Sequence, residues 1–327
     1  MIEVPGFVDL QVNGFLGVDY SDENLTEDNF ISSAKELLAR GTAAFLPTVI
    51  TSFENIYERN LPMLAKAMKT PELENRVLGL HLEGPFISAL PGAVGAHNPQ
   101  AVRKPDPKFL KKLYDLSEGQ IKILTIAAEA DGAEELIACA SELGIAVSLG
   151  HHLAKPEDIE RCSAAGAKLL THLGNGCPNQ IDRHHNPIWS GLADDQLTAM
   201  IITDGHHLPP SLIKTVIRAK GTAKVIITSD ASSIAGKPPG RYNTLGNVAI
   251  LEPNGRLHNP EKQCLVGSSA TILECVNYLA SLNFLSPEEL VEMAFRNPLK
   301  MIGIPENSIT TSSPYLWDQK LFKFVKK

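Results

Sequence analysis

Cysteine is scarce in this chain, and positive charge is outnumbered. The five cysteines among 327 residues (Cys139, Cys162, Cys177, Cys264 and Cys275) have no C-x-x-C spacing. Their odd number and scatter argue against a disulfide framework and for reduced thiols in a cytosol. The 30 Lys and Arg residues face 37 Asp and Glu, a net charge of −7, which argues against nucleic acid as a partner. A phosphorylated small substrate stays compatible, because a basic pocket can sit on an acidic protein. No run approaches the ~18 consecutive apolar residues of a membrane span. The first residues, Met1-Ile2-Glu3-Val4-Pro5-Gly6, have neither a basic nor an apolar signal region. The expectation is a cytoplasmic protein with no membrane and no nucleic-acid partner. No internal repeat or low-complexity tract is present.

Apolar residues make up 43% of the chain and charged residues 20%, enough for a large core. Short β-branched runs recur at 6–12, 43–51, 77–82, 121–127, 146–149, 168–171, 198–203 and 223–228. They are almost continuously apolar, as parallel strands covered on both faces should be. Segments with helical period lie between them, at 29–40, 107–116, 132–143, 155–165 and 209–219, most of them stopping at or near a glycine. The alternation predicts an α/β fold, a (β/α)8 TIM-like barrel over residues 1–305, with a C-terminal tail at 306–327. Residues 315–325 of that tail read as one strand or an exposed arm. Long loops at 87–104, 175–191 and 232–267 follow the third, sixth and eighth strands. The last carries a hairpin signal at Pro253-Asn254-Gly255.

Barrel enzymes carry their chemistry at the C-terminal strand ends. Four acid or imidazole groups stand there: Glu83, His151, His172 and Asp230. One carboxylate and two imidazoles suit a divalent metal with an open position, and a nearby carboxylate suits proton transfer to and from an activated water. His151 is followed by His152, and spacing alone leaves the ligand open between them, although His151 directly ends its strand. Asp230 reads as the acid/base, or as a fourth ligand or an orienter of a histidine. Gly84 would leave the space above Glu83 clear. Gln11 and Asn13 end the first strand on one face. Amides are poorer metal ligands than imidazoles, so a second metal is not expected there. His97 and His207 are candidate contacts to a carbonyl, hydroxyl or phosphate. Asn175 could hold a polar substrate group. Arg183, beside His184 and His185, suits a bidentate contact to phosphate or else a solvated face.

These residues sit in motifs that run in order over nearly the whole chain. They include Pro5-Gly6-Phe7-Val8-Asp9-Leu10-Gln11-Val12-Asn13-Gly14, His81-Leu82-Glu83-Gly84-Pro85-Phe86, Gly95-Ala96-His97-Asn98-Pro99, Ser148-Leu149-Gly150-His151 and Thr171-His172-Leu173. Thr203-Asp204-Gly205-His206-His207, Thr228-Ser229-Asp230-Ala231, Leu265-Val266-Gly267-Ser268-Ser269 and Arg296-Asn297-Pro298 follow. Together they resemble the N-acetylglucosamine-6-phosphate deacetylase family of the amidohydrolase superfamily. The resemblance implies one divalent metal on Glu83, His151 and His172, with zinc as the default and iron the second choice. It implies Asp230 as catalytic acid/base and His97 polarising the acetyl carbonyl. It places Asn175, the Gly176 backbone and His207 at the sugar phosphate, and Arg183 reaching it across a homodimer interface.

The sequence departs from the family at several points. The small β-sandwich that the family attaches to its barrel is expected to be largely missing. His152, Gly174 to Cys177, and His184 and His185 replace the family's usual residues on the sugar and phosphate side. The expected activity is hydrolysis of N-acetylglucosamine-6-phosphate. The alternatives are an amidohydrolase for another N-acyl or cyclic amide substrate and a non-catalytic sugar-phosphate-binding barrel.

Overall fold

The computed structural model describes residues 2–244, 247–309 and 313–327. Residues 310–312 of the expected tail, and 245 and 246 of the expected eighth loop, lie outside the described residues. Eight parallel strands lie side by side in sequence order: β1 (Phe7–Val12), β2 (Thr42–Ile50), β3 (Leu80–Glu83), β4 (Ile121–Ile126), β5 (Ala146–Leu149), β6 (Leu169–Leu170), β7 (Thr198–Ile202) and β8 (Val225–Thr228). Every residue of β1 and β2 is buried, which is why these strands read as continuous apolar runs rather than alternating ones.

The barrel closes between β8 and β1. A single bridge pairs Val12 with Ala231, reinforced by Asn13 N–H donating to the Ala231 carbonyl at 2.7 Å. Below that bridge the seam is held by a buried carboxylate. Asp9 accepts hydrogen bonds from Thr228 Oγ1 (2.7 Å), from the Ser229 backbone N–H (3.1 Å) and from Ser229 Oγ. Burial raises the Asp9 pKa, and these donors oppose the rise.

Helices cover the outside, as the sequence pattern predicts. The helix Pro107–Leu116 shows the local logic. Asp106 caps the N–H groups of Lys108 and Phe109, Pro107 occupies the first turn, and Phe109, Leu110 and Leu113 form the buried face. Five α-helices among the described residues escaped the sequence reading, and the two longest show why. Glu54–Ala67 contains Pro62, which weakens a helical signal, and Ile272–Ser281 is announced only by a capping box from Thr271 and Glu274.

The hairpin expected after β8 is part of a larger unit. Gly240–Thr244, Asn247–Leu251, Leu257–Asn259 and Cys264–Leu265 form a four-stranded antiparallel sheet. It has its own small core of Ile234, Ala249, Leu251, Leu257 and Val266, against which Ala96 packs. The tail differs from the single strand or arm expected. Tyr315–Asp318 and Lys323–Lys326 form a hairpin that pairs with Glu3–Val4. Phe324 meets Phe7 edge-on at 5.1 Å, and the Asn277 side chain bonds the Phe324 backbone on both sides. Hydrophobic contact thus ties the tail to the start of β1, the end remote from the strand C-termini. Among the described residues no separate β-sandwich domain is evident, and no helix is long and apolar enough to cross a membrane.

Removing the Asp9 carboxylate would strand its donors in the interior. Asp9→Ala is expected to cost about 3 kcal/mol of stability, read as a lowered thermal midpoint. An unchanged midpoint would show that the seam does not depend on this carboxylate.

Candidate active site

The chain turns sharply where β5, β6 and β8 end. His151 (φ 52°), His172 (φ 30°) and Asp230 (φ 51°) all occupy the left-handed region, although none is glycine. Such residues cost roughly 1–3 kcal/mol each and persist only where the surroundings hold them. The kinks direct three side chains into one mouth. On β3 the turn falls one residue later, at Gly84 (φ 95°). The sequence reading expected Gly84 to keep the space above Glu83 open. Instead, a Cβ at this position would lie 2.1 Å from Thr51 Oγ1, and that hydroxyl donates to the Glu83 carbonyl at 3.0 Å. Gly84 therefore admits Thr51, which fixes the Glu83 backbone.

The side chains converge tightly. Glu83 Oε1 lies 3.1 Å from His151 Nε2 and 3.0 Å from His172 Nε2, and the two imidazole nitrogens are 3.1 Å apart. His97 Nε2 is 3.2 Å from His151 Nε2 and 3.7 Å from Glu83 Oε2. All four groups are buried. Asp230 stands beside them, its Oδ1 accepting from Asn13 Nδ2 (2.7 Å) and Gln11 Nε2 (3.0 Å), while Gln11 Nε2 also donates to Glu83 (2.8 Å). Gln11 thus donates to both carboxylates, and Asn13 to Asp230, hydrogen bonds inside the barrel mouth that suit their shared face at the end of β1.

Hydrogen bonds assign the tautomers. His151 Nδ1 faces the Ala93 carbonyl at 2.8 Å, which only accepts, so neutral His151 presents a bare Nε2 to Glu83. His97 is the reverse. Its Nδ1 accepts from the Thr51 backbone N–H at 3.3 Å, so neutral His97 carries its proton on Nε2, toward the cluster. Burial and then the neighbouring His151 push the His97 pKa down to about 3, which keeps it neutral. The atoms of Glu83, His97 and His151 lie within 4.8 Å of one another and form a possible metal-binding group. The tautomer of neutral His97 suits a donor, and His172 Nε2 lies 3.0 Å from Glu83, nearer than the 3.7 Å of His97 Nε2. A carboxylate oxygen and two imidazole nitrogens meeting at about 3 Å in a buried space fit a cation.

Electrostatics agree. Burial would raise the Glu83 pKa, but the hydrogen bonds from His151 and His172 outweigh it and hold the carboxyl well below its ordinary value. Burial opposes charge on His151, yet Glu83 holds its pKa above the ordinary value. Asp230 goes the other way. Burial first, and the charge of Glu83 second, push it up to about 6.

Below the cluster lies a polar layer that sequence reasoning missed. His81 Nδ1 meets the Leu10 carbonyl at 3.0 Å, and His81 Nε2 meets Thr125 Oγ1 at 2.8 Å. Thr125 in turn meets Thr171. Burial lowers the His81 pKa to about 4. The clue was present in His81-Leu82-Glu83, since alternate residues of a strand share a face.

Above the cluster opens a cavity of about 330 Å3 lined by His97, Asp230, Asn175, Gly176 and His207, among others. The volume suits a small ligand. His207 is oriented by Asp204, whose Oδ2 meets His207 Nδ1 at 2.8 Å. Gly176 (φ 62°) passes so close to the cluster that a Cβ would lie 3.0 Å from His172 Cε1. The question left open at His151 and His152 is answered by the rings. His152 is buried in a small space lined by Leu149, Leu170, Cys177 and Ile188, away from the cluster. Cys177 lines the main cavity, and burial raises its thiol pKa. Arg183 does not line this cavity. It is exposed on the loop after β6, where its carbonyl accepts from Trp189 Nε1 at 2.9 Å, and Trp189 is itself 52% exposed. One arginine that does line the cavity, Arg256, was not singled out from sequence.

Comparison with known proteins extends this picture. A family model described as the amidohydrolase family, whose enzymes are metal-dependent, matches residues 2–308. An N-acetylglucosamine-6-phosphate deacetylase of Caenorhabditis elegans is 33% identical over 325 residues, covering 95% of this chain and 76% of the relative. An N-acetylgalactosamine-6-phosphate deacetylase of Escherichia coli O157:H7 is 27% identical over 300 residues, covering 92% and 78%. A solved variant of the Mycobacterium smegmatis N-acetyl-D-glucosamine-6-phosphate deacetylase, in complex with N-acetyl-D-glucosamine-6-phosphate, superposes with a TM-score of 0.86 at 25% identity, covering 98% of this chain and 84% of that one. The chain belongs to the amidohydrolase family, in the group of the N-acetylglucosamine-6-phosphate deacetylases.

Proposed function

We propose that the chain hydrolyses N-acetylglucosamine-6-phosphate to glucosamine-6-phosphate and acetate. The observation that carries this reading is the buried convergence of Glu83, His151 and His172 beside Asp230, a carboxylate whose pKa lies near 6. Glu83, His151 and His172 are the proposed ligands of one divalent metal, zinc by default and iron as second choice. When bound there, the metal would polarise the acyl carbonyl and lower the pKa of a nearby water.

Each residue then has a defined task. His97 Nε2–H donates to the acetyl oxygen and stabilises its charge as the carbonyl carbon becomes tetrahedral. Asp230 takes the proton of the attacking water. It returns a proton to the amine nitrogen as the C–N bond breaks, leaving acetate and the free amine. Asn13 and Gln11 hold Asp230 in place through Oδ1. Asn175, the Gly176 backbone and His207 line the cavity where the sugar phosphate would sit. Arg183, exposed beside Trp189, is proposed to reach the phosphate of a neighbouring copy in a homodimer.

Wild-type protein should release acetate from N-acetylglucosamine-6-phosphate. Turnover on the galactosamine epimer but not on this substrate would instead favour the reading suggested by the relative from E. coli O157:H7. Asp230→Asn should keep its fold and its metal while kcat falls about 10²–10⁴-fold. Because Asp230 must start deprotonated, wild-type kcat/KM should fall as pH drops through its pKa. That acidic limb should lie at or below about 6, since a neighbouring cation favours the carboxylate, and it should vanish in the variant. Full activity in Asp230→Asn would remove this residue from the mechanism.

Elemental analysis should find about one ion per chain. His172→Ala should lose it, and chelated wild-type protein should lose activity and regain it with zinc. Metal retained at full stoichiometry in His172→Ala would sink the ligand assignment, and bound metal without turnover on any N-acetyl sugar would favour a non-catalytic binding barrel. Arg183→Gln should raise KM for the phosphorylated substrate about tenfold in a protein that sediments as a dimer. A monomer with unchanged KM contradicts the role in trans.

A further inference from the structure

A sugar phosphate brings a charge of about −1.5 to −2 into the cavity at neutral pH. The acetyl group must reach His97 and Asp230 at the floor of the cavity, so the 6-phosphate lies at the other end. There the groups expected from sequence offer little positive charge. Asn175 and Gly176 are neutral, and His207 is matched by Asp204 at 2.8 Å. Arg183 does not line the cavity of its own chain.

The four-stranded sheet after β8 supplies what is missing. Among the described residues, Arg256 is the one Lys or Arg side chain that lines the cavity. It follows the turn at Gly255 (φ 92°), and the turn is anchored on the β7 side. His206 Nε2 meets the Asn254 carbonyl at 3.1 Å, and Ser269 Oγ donates to the Gly255 carbonyl at 2.6 Å. Because His206 immediately precedes His207, these contacts bring Arg256 to the His207 side of the cavity. Glu252 holds the guanidinium through NH1 at 3.2 Å and also bonds His258 Nε2 at 3.0 Å. A guanidinium has five N–H donors, so the bond to Glu252 leaves donors for an anion.

We propose that Arg256, held by Glu252 at the tip of this sheet, binds the phosphate end of the substrate from within the same chain. The inference rests on the deacetylase reading and adds a substrate-binding residue that the sequence motifs do not assign.

The test compares Arg256→Gln and Arg256→Lys on N-acetylglucosamine with and without the 6-phosphate. Arg256→Gln should raise KM for the phosphorylated substrate about tenfold, with kcat and the turnover of the unphosphorylated sugar unchanged. Arg256→Lys should recover part of the loss. Calorimetry provides a second readout: glucosamine-6-phosphate should bind Arg256→Gln about tenfold more weakly, while glucosamine binds both proteins equally. An unchanged KM, or equal losses on both sugars, would overturn the proposal, the latter marking Arg256 as structural support for the sheet. Wild-type protein that binds glucosamine-6-phosphate through Arg256 yet releases no acetate would overturn the deacetylase reading and leave the role of Arg256 standing.

Discussion

The site is organised around one interaction, the approach of a carboxylate oxygen and two imidazole nitrogens to about 3 Å of one another in a buried space. Lone pairs at that distance repel unless protons or a cation lie between them. Without a cation, Glu83 raises the His151 pKa against the cost of burial. With one, His151 is already in the right tautomer, because the Ala93 carbonyl claims its other nitrogen. The kinks at His151, His172 and Asp230 follow from the same need. A relaxed strand end would release backbone strain but turn these side chains away from one another, so the packed barrel beneath must hold them.

The polar groups around this centre divide into layers. His81, Thr125 and Thr171 form a hydrogen-bonded floor that satisfies polar atoms inside the barrel. Gln11 donates to both Glu83 and Asp230, and Asn13 to Asp230, keeping two acids close without direct contact. Asp9 joins β1 to β8 and so sets the spacing between those amides and Asp230. The reaction centre therefore belongs to the barrel, where backbone and side-chain hydrogen bonds orient His97, His151 and Asp230. The outer cavity is built differently, from loops and from a small sheet with a separate core. Substrate choice can change there without disturbing the reaction centre.

Much of the framework was legible in the chain. The eight apolar runs read correctly because parallel strands buried on both faces need no polar alternation, as β1 and β2 illustrate. Glu83, His151, His172 and Asp230 stood out because ionisable residues at the ends of apolar runs need a reason to be there. The helix through Pro62 was hidden by a residue that ordinarily ends helices. The tail hairpin was hidden because its stability comes from Phe7, Asn277 and Glu3–Val4, all distant in sequence.

The order of the strands and the chemical types placed at their ends follow from local pattern and position along the chain. Which way each group points, and which groups it meets, depends on how distant segments pack. Which of His151 and His152 faces the mouth depends on a left-handed backbone angle. Whether His97 donates or ligates depends on the backbone N–H of Thr51, 46 residues away. Whether Arg183 or Arg256 faces the cavity of its own chain depends on loops whose paths are set by contacts with other strands. Such outcomes rest on packing between distant segments, and no local pattern encodes them.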